Sequence, residues 1–342
     1  GGGTWQSGSP GIAIIGSTTG IATGISGGTA VITYSLPTGC FAVKTITVGI
    51  VPAAITGASG VCLGSTTVLS CSTGGGAWAS GSSAIATAGY STGVISGVAL
   101  GVAAITYSMP TGCLTTATVT VNPVPGPITG TPAICVGAAT TLADASPGGI
   151  WSSAYPGIAS IGSATGFVSG TTAGITSVFY TYPATGCYAA VLVTVNPAPT
   201  GIAGIFEICQ GTSTVISGIP AGGSWSSGSP GVATIGVLSG VINGIAAGIT
   251  SITYTGVSGC SLTTLFTVDP LPAAITGTTG TCVGSGTALS DATPGGYWTS
   301  SNPTIATVGV TSGFVSGLAA GTSAISYTLS PSGCQATVII TV

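Results

Sequence analysis

Histidine and arginine are absent from this 342-residue chain, and lysine occurs once, as Lys44. Only four acids accompany it: Asp144, Glu207, Asp269 and Asp291. Without clustered cations there is nothing to neutralise phosphates, which excludes nucleic acid as a partner. Without histidine, general acid–base chemistry at neutral pH loses its usual residue, and the abundant serines have no base to activate them. Asp144 and Asp291 fall at equivalent places in different repeats, so they do not read as a carboxylate pair. They suit the capping of turns between strands. No repeat gathers enough carboxylates for calcium, and no cofactor is expected.

Long apolar runs are missing as well. Mean hydropathy is high at +0.76, yet Gly, Ser and Thr interrupt every stretch before the roughly 18 residues that a membrane-spanning helix needs. No membrane-spanning segment is therefore expected. The sequon for N-linked sugar is also lacking. Asn122, Asn196 and Asn302 each precede proline, and Asn243 precedes Gly-Ile. The many Ser and Thr leave O-linked glycans open. A surface of Gly, Ser, Thr and Ala with so little charge offers little electrostatic repulsion and favours self-association.

What the chain does contain is a period. Trp5, Trp78, Trp151, Trp225 and Trp298 are spaced 73, 73, 74 and 73 residues apart. Tyr34, Tyr107, Tyr180, Tyr254 and Tyr327 each follow their tryptophan by 29 residues. One structural unit has been copied along the chain. The units divide as 1–49, 50–123, 124–197, 198–270 and 271–342. Gly1 aligns with Gly74, so the first unit is expected to lack its two opening strands. The unpaired edge this leaves suits either a longer array upstream or completion by a strand donated from a neighbouring chain.

Within a unit the pattern is that of short strands. In the third, Ile128 lies in an opening strand. Segments 140–143, 149–153, 158–161, 167–169, 175–182 and 188–195 follow, with turn residues between them. Val191, Val193 and Val195 alternate with Ala190, Leu192 and Thr194, the period-2 pattern of a half-buried antiparallel strand. Seven such strands predict an all-β chain of antiparallel sandwiches. Glycines recur in register, as in Gly93-Val-Ile-Ser-Gly97 and again from Gly166, Gly240 and Gly313, which predicts positive φ or close packing. Pro-x-Pro joints at 123–127, 197–199 and 270–272 predict semi-rigid spacing and hence a linear rod.

Ten cysteines keep the same beat. Cys62 and Cys113, Cys135 and Cys187, Cys209 and Cys260, and Cys282 and Cys334 are 51 or 52 residues apart, two per complete unit. A metal site would need four ligands where each unit has two, so one disulfide inside each unit is the economical expectation. Closing such a loop is worth roughly 4 kcal/mol in the chain-entropy model, and it implies an oxidising compartment. A core of this size is expected to need such a staple. Cys40 and Cys71 are left over, as unpaired thiols or intermolecular cross-links.

The stretch from Ser290 through Gly295-Gly-Tyr-Trp298 to Val308, then Gly313-Phe-Val-Ser-Gly317, resembles the bacterial immunoglobulin-like domain, group 2. Cys282-Val-Gly284 and Gly333-Cys334 are similar to tandem arrays in very large bacterial surface proteins. The resemblance covers essentially the whole chain. It implies tandem immunoglobulin-like sandwiches, secreted or held at the cell surface, serving as stalks, adhesin shafts or extracellular fibre components. It supplies no catalytic residue. The expected function is structural: a repeat subunit of an extracellular filament or stalk whose partner is itself. The alternative is an adhesin or glycan-binding module, for which Tyr155, Tyr182 and Tyr188 of the third unit are the candidate contacts.

Overall fold

The computed structural model describes residues 2–342, and among them every regular element is a strand. The third repeat illustrates the pattern. One sheet holds four strands in the order Ala133–Cys135, Tyr188–Asn196, Gly174–Thr181 and Ile150–Ser153. The second sheet orders Ala139–Thr141, Phe167–Gly170 and Ala159–Ile161, with an isolated bridge between Thr129 and Ala143 at its edge. The chain is thus all-β, a tandem series of antiparallel β-sandwiches. One strand breaks the antiparallel rule: Ala133–Cys135 runs parallel to Tyr188–Asn196, with Cys135 opposite Asn196.

The core follows from strand alternation. Val178, Tyr180, Val193, Val195, Trp151 and Val168 point between the sheets and are buried, while their neighbours along each strand face outward. Each tryptophan lies directly across from its tyrosine, as Trp151 does from Tyr180, with ring centroids 4.8 Å apart and planes tilted by 50°. Such a tilted aromatic pair contributes beyond its buried area, by about 0.5–1.5 kcal/mol. The tyrosine hydroxyl then closes the sandwich. Tyr180 Oη donates to the Ser146 carbonyl at 2.7 Å and accepts from the Gly149 amide at 3.0 Å. Tyr107, Tyr254 and Tyr327 make the same two bonds.

The recurring glycines have a steric cause. Gly166 has φ +69°, and a Cβ there would collide with the Leu142 carbonyl and press on the Trp151 ring. Gly93, Gly240 and Gly313 repeat both features. A left-handed glycine is required where the chain passes over the tryptophan.

Candidate functional site at the joints between sandwiches

The cysteines do not pair within units. The disulfides are Cys62–Cys187, Cys135–Cys260 and Cys209–Cys334, each spanning 125 residues and each tying one sandwich to the next. Cα–Cα distances are 5.6, 5.8 and 5.5 Å. This corrects the expected pairs Cys62–Cys113, Cys135–Cys187, Cys209–Cys260 and Cys282–Cys334. The reason is the parallel strand. Cys135 sits opposite Asn196, the last residue of the closing strand, whereas Cys187 immediately precedes Tyr188, its first. Nine strand residues at about 3.3 Å each separate the two by nearly 30 Å. A disulfide needs Cα atoms within about 7 Å.

Each of these three bridged joints is therefore asymmetric. The lower sandwich contributes a cysteine at the end of its parallel strand, and the upper one contributes the cysteine that closes its last hairpin turn. In the joint of the third and fourth sandwiches, that turn folds back on the linker. Ser258 Oγ donates to the Pro197 carbonyl at 2.6 Å. The turn cysteines Cys187, Cys260 and Cys334 are at most 1% exposed. An open groove of about 670 Å³ borders the first of these disulfides, lined by residues such as Gly60, Cys62, Thr66 and Thr185. Its walls are small and hydroxylated, with no aromatic side chain.

Four cysteines are unbonded: Cys40 and Cys282 are exposed, while Cys71 and Cys113 are partly covered. Cys71 packs against the core of its own sandwich and points its thiol at the Ala53 carbonyl, 3.3 Å away. That half-buried seat against its own core does not favour an intermolecular cross-link. Cys113 faces the first sandwich, where a Cβ at Gly49 would stand 2.7 Å from its sulfur.

The acids are scattered. Asp144 and Asp291 accept the amides of Ser146 and Thr293, each at 2.7 Å, in local turns. Their second carboxylate oxygens are buried without a partner. Glu207 and Asp269 come together on adjacent parallel strands of the fourth sandwich. A side-chain hydrogen bond to Asp269, followed by repulsion from its charge, raises the Glu207 carboxyl above its ordinary value. This pair escaped the sequence reading because a separation of 62 positions hides a strand pairing. Among the described residues no group of three or more His, Cys, Asp or Glu stands close enough to hold a metal.

The three tyrosine candidates do not converge. The Tyr155 amide bonds Thr176 Oγ1, near the start of the Gly174–Thr181 strand, whereas Tyr188 pairs with Thr181 at its end. Only Tyr182 and Tyr188 share a pole. No helix among the described residues is long and apolar enough to cross a membrane.

No family model matches the chain, and no curated protein sequence does. Solved structures match in kind. Domains 4–9 of the surface layer protein SbsC align with 100% of this chain and 73% of theirs, at 15% identity and a TM-score of 0.18. The human Desmocollin-1 ectodomain aligns over 99% of this chain and 92% of its own, at 11% identity and a TM-score of 0.19. Drosophila N-cadherin EC1–4 aligns over 79% and 91%, at 11% and 0.22. At those TM-scores the overlap transfers nothing from these proteins to this chain.

Proposed function

We propose that this chain is a non-catalytic structural segment of an extracellular filament or cell-surface stalk, built from tandem group 2 bacterial immunoglobulin-like units with the boundaries given above. The observation that carries the reading is the disulfide series: three bridges at one spacing, each between consecutive sandwiches. A bridge inside a unit would stabilise that unit alone. A bridge across a joint restrains the two neighbours against bending and pulling apart, and three successive joints carry one, which serves a load-bearing rod. Disulfides also favour an oxidising, extracellular setting.

The partner in this reading is a further copy of the chain. Leu192, Leu265 and Ile339 occupy equivalent outward positions on three closing strands and are 63, 67 and 64% exposed, a repeated apolar stripe suited to lateral contact. Strand donation to the first sandwich and O-linked glycans on the Ser/Thr surface belong to the same proposal. The adhesin reading has only Tyr182 and Tyr188 in its favour.

Electron microscopy of the undenatured protein tests the proposal. Uniform threads or straight rods with a sandwich repeat are expected, and added reductant should make them more flexible. Compact particles in oxidising buffer would overturn it.

A further inference from the structure

We infer that the groove beside Cys62–Cys187 is a site of thiol attack: a low-molecular-weight thiol enters it and forms a mixed disulfide on Cys62, opening the joint of the second and third sandwiches ahead of the other two bridged joints. The inference deepens the reading of the joints given above by adding their regulation, and its test separates the two.

The strand Gly60–Cys62 is the edge of its sheet. Val61 turns into the core, so Gly60 and Cys62 share the opposite face, which looks onto the open groove of about 670 Å³. Cys62 lies in the groove wall and is partly exposed, whereas Cys187 is fully buried. Of the two sulfurs in the bridge, that of Cys62 is thus the one open to a solute.

The surroundings of that sulfur differ from joint to joint. Gly60 pairs with Thr120, Ala133 with Thr194 and Glu207 with Thr267, so these three residues hold one position, two before the strand cysteine. A side chain there stands on the same face as the cysteine and beside it. Glycine leaves the space empty. A Cβ at Gly60 would meet the Asn122 amide nitrogen at 2.9 Å and otherwise nothing nearer than the Thr120 carbonyl at 3.9 Å. Glu207, by contrast, sets a long acidic side chain next to Cys209. On the turn side, Ala184 lines the groove three residues before Cys187, where the later joints have Val257 before Cys260 and Pro331 before Cys334. Both walls are therefore smallest at the first bridge. No charged side chain lines the groove to repel an incoming thiolate.

Access to the attacked sulfur is one of the factors that set the rate of thiol–disulfide exchange. The thiolate attacks the Cys62 sulfur, the Cys62–Cys187 bond breaks, and the electron pair leaves on the Cys187 sulfur, which takes up the proton that the thiol gave up. A second thiol displaces the first from Cys62. The joint is left with two protein thiols, and the two small molecules leave as their own disulfide.

The test treats the oxidised 342-residue chain, its free thiols first blocked with N-ethylmaleimide, with 2-mercaptoethanol for short times. Iodoacetamide then traps new thiols, and peptides are mapped by mass spectrometry. A 2-mercaptoethanol adduct on Cys62 with alkylated Cys187 is expected, formed several-fold faster than any product of Cys135–Cys260 or Cys209–Cys334. Gly60→Gln should slow it several-fold, and Glu207→Gly should speed opening of Cys209–Cys334, an independent check should the first variant fold poorly. The inference is overturned if the adduct sits on Cys187, if the three bridges open at one rate, or if neither variant changes its rate. Straight rods in oxidising buffer without the selective adduct would overturn it and leave the structural reading standing. Compact particles that still form the Cys62 adduct would do the reverse.

Discussion

The first and third sandwiches carry the same tryptophan, tyrosine and glycine, yet they are not equally built. In the third, Trp151 and Tyr180 are each 7% exposed and Leu142 covers them. In the first, the buried cluster shrinks to Ala13, Ala30 and Ile32, with Trp5 only partly covered. Tyr34 Oη accepts the Gly3 amide at 3.1 Å and has no carbonyl acceptor among the described residues. The closing strand Phe41–Val48 is exposed over most of its length, and Phe41 is 70% exposed. Among the described residues only the third of these two has the opening strands, which seal one side of its core and supply the Ser146 carbonyl to Tyr180. Repeated aromatic residues make a sandwich only where those strands cover them.

Substitution at the tryptophan separates the two most strongly. Trp151→Ala should cost the third sandwich about 3–5 kcal/mol, the range for a large aromatic lost from a closed core. Trp5→Ala should cost the first sandwich well under half as much. Site-resolved hydrogen exchange on the Gly174–Thr181 and Gly28–Ser35 strands measures both.

The comparison can also be reversed by adding a strand at the edge of the first sandwich of this 342-residue chain. A synthetic peptide with the sequence of residues 125–147 should pair along Phe41–Val48 and bury Trp5, shifting its fluorescence to the blue. Asn196, which faces Cys135, corresponds to Gly49, which lies beside Cys113. The peptide's cysteine should therefore cross-link to Cys113 under oxidising conditions. Failure to cross-link would show that the open edge does not accept a strand in the register of the other units.

Tyrosine to phenylalanine gives a smaller contrast. Tyr180→Phe strips a partner from the Gly149 amide and the Ser146 carbonyl and should cost about 1–3 kcal/mol, the penalty for buried groups left unpaired. Tyr34→Phe should cost about 1 kcal/mol or less, because one hydrogen bond is at stake. Thermal unfolding with exchange readout distinguishes them.

The smallest effect is expected in the fourth sandwich. Glu207 is raised by its hydrogen bond to Asp269 and by that residue's charge. A folded value above the unfolded one means that the pair's stabilisation is fully present below the unfolded value. It fades as pH rises through the folded one. Asp269→Asn should return Glu207 toward its ordinary range and flatten that slope, as a carboxyl-carbon NMR titration would record.

Most strands and the aromatic core were legible because they rest on local rules. Alternation marked the segment from Ile175 to Tyr182, and the fixed interval from Trp151 to Tyr180 reflects two strands placed face to face. The three-residue strand Ala133–Cys135 was not legible. It lies between Pro132 and Gly137, is too short to show alternation, and runs parallel to its partner. Missing it led to cysteines being paired by nearness along the chain. The Glu207–Asp269 contact was hidden by the equivalent strand of the fourth sandwich.

By itself, the sequence determined the repeat, the all-β character, the aromatic pair and the left-handed glycine beneath it, since each follows from side-chain periodicity or backbone sterics within one unit. Only the tertiary structure decided which cysteine meets which. That choice depends on the pole of the sandwich to which a short parallel strand carries Cys62, Cys135 and Cys209. Once they stand at the far pole, the next sandwich is the neighbour within bonding distance.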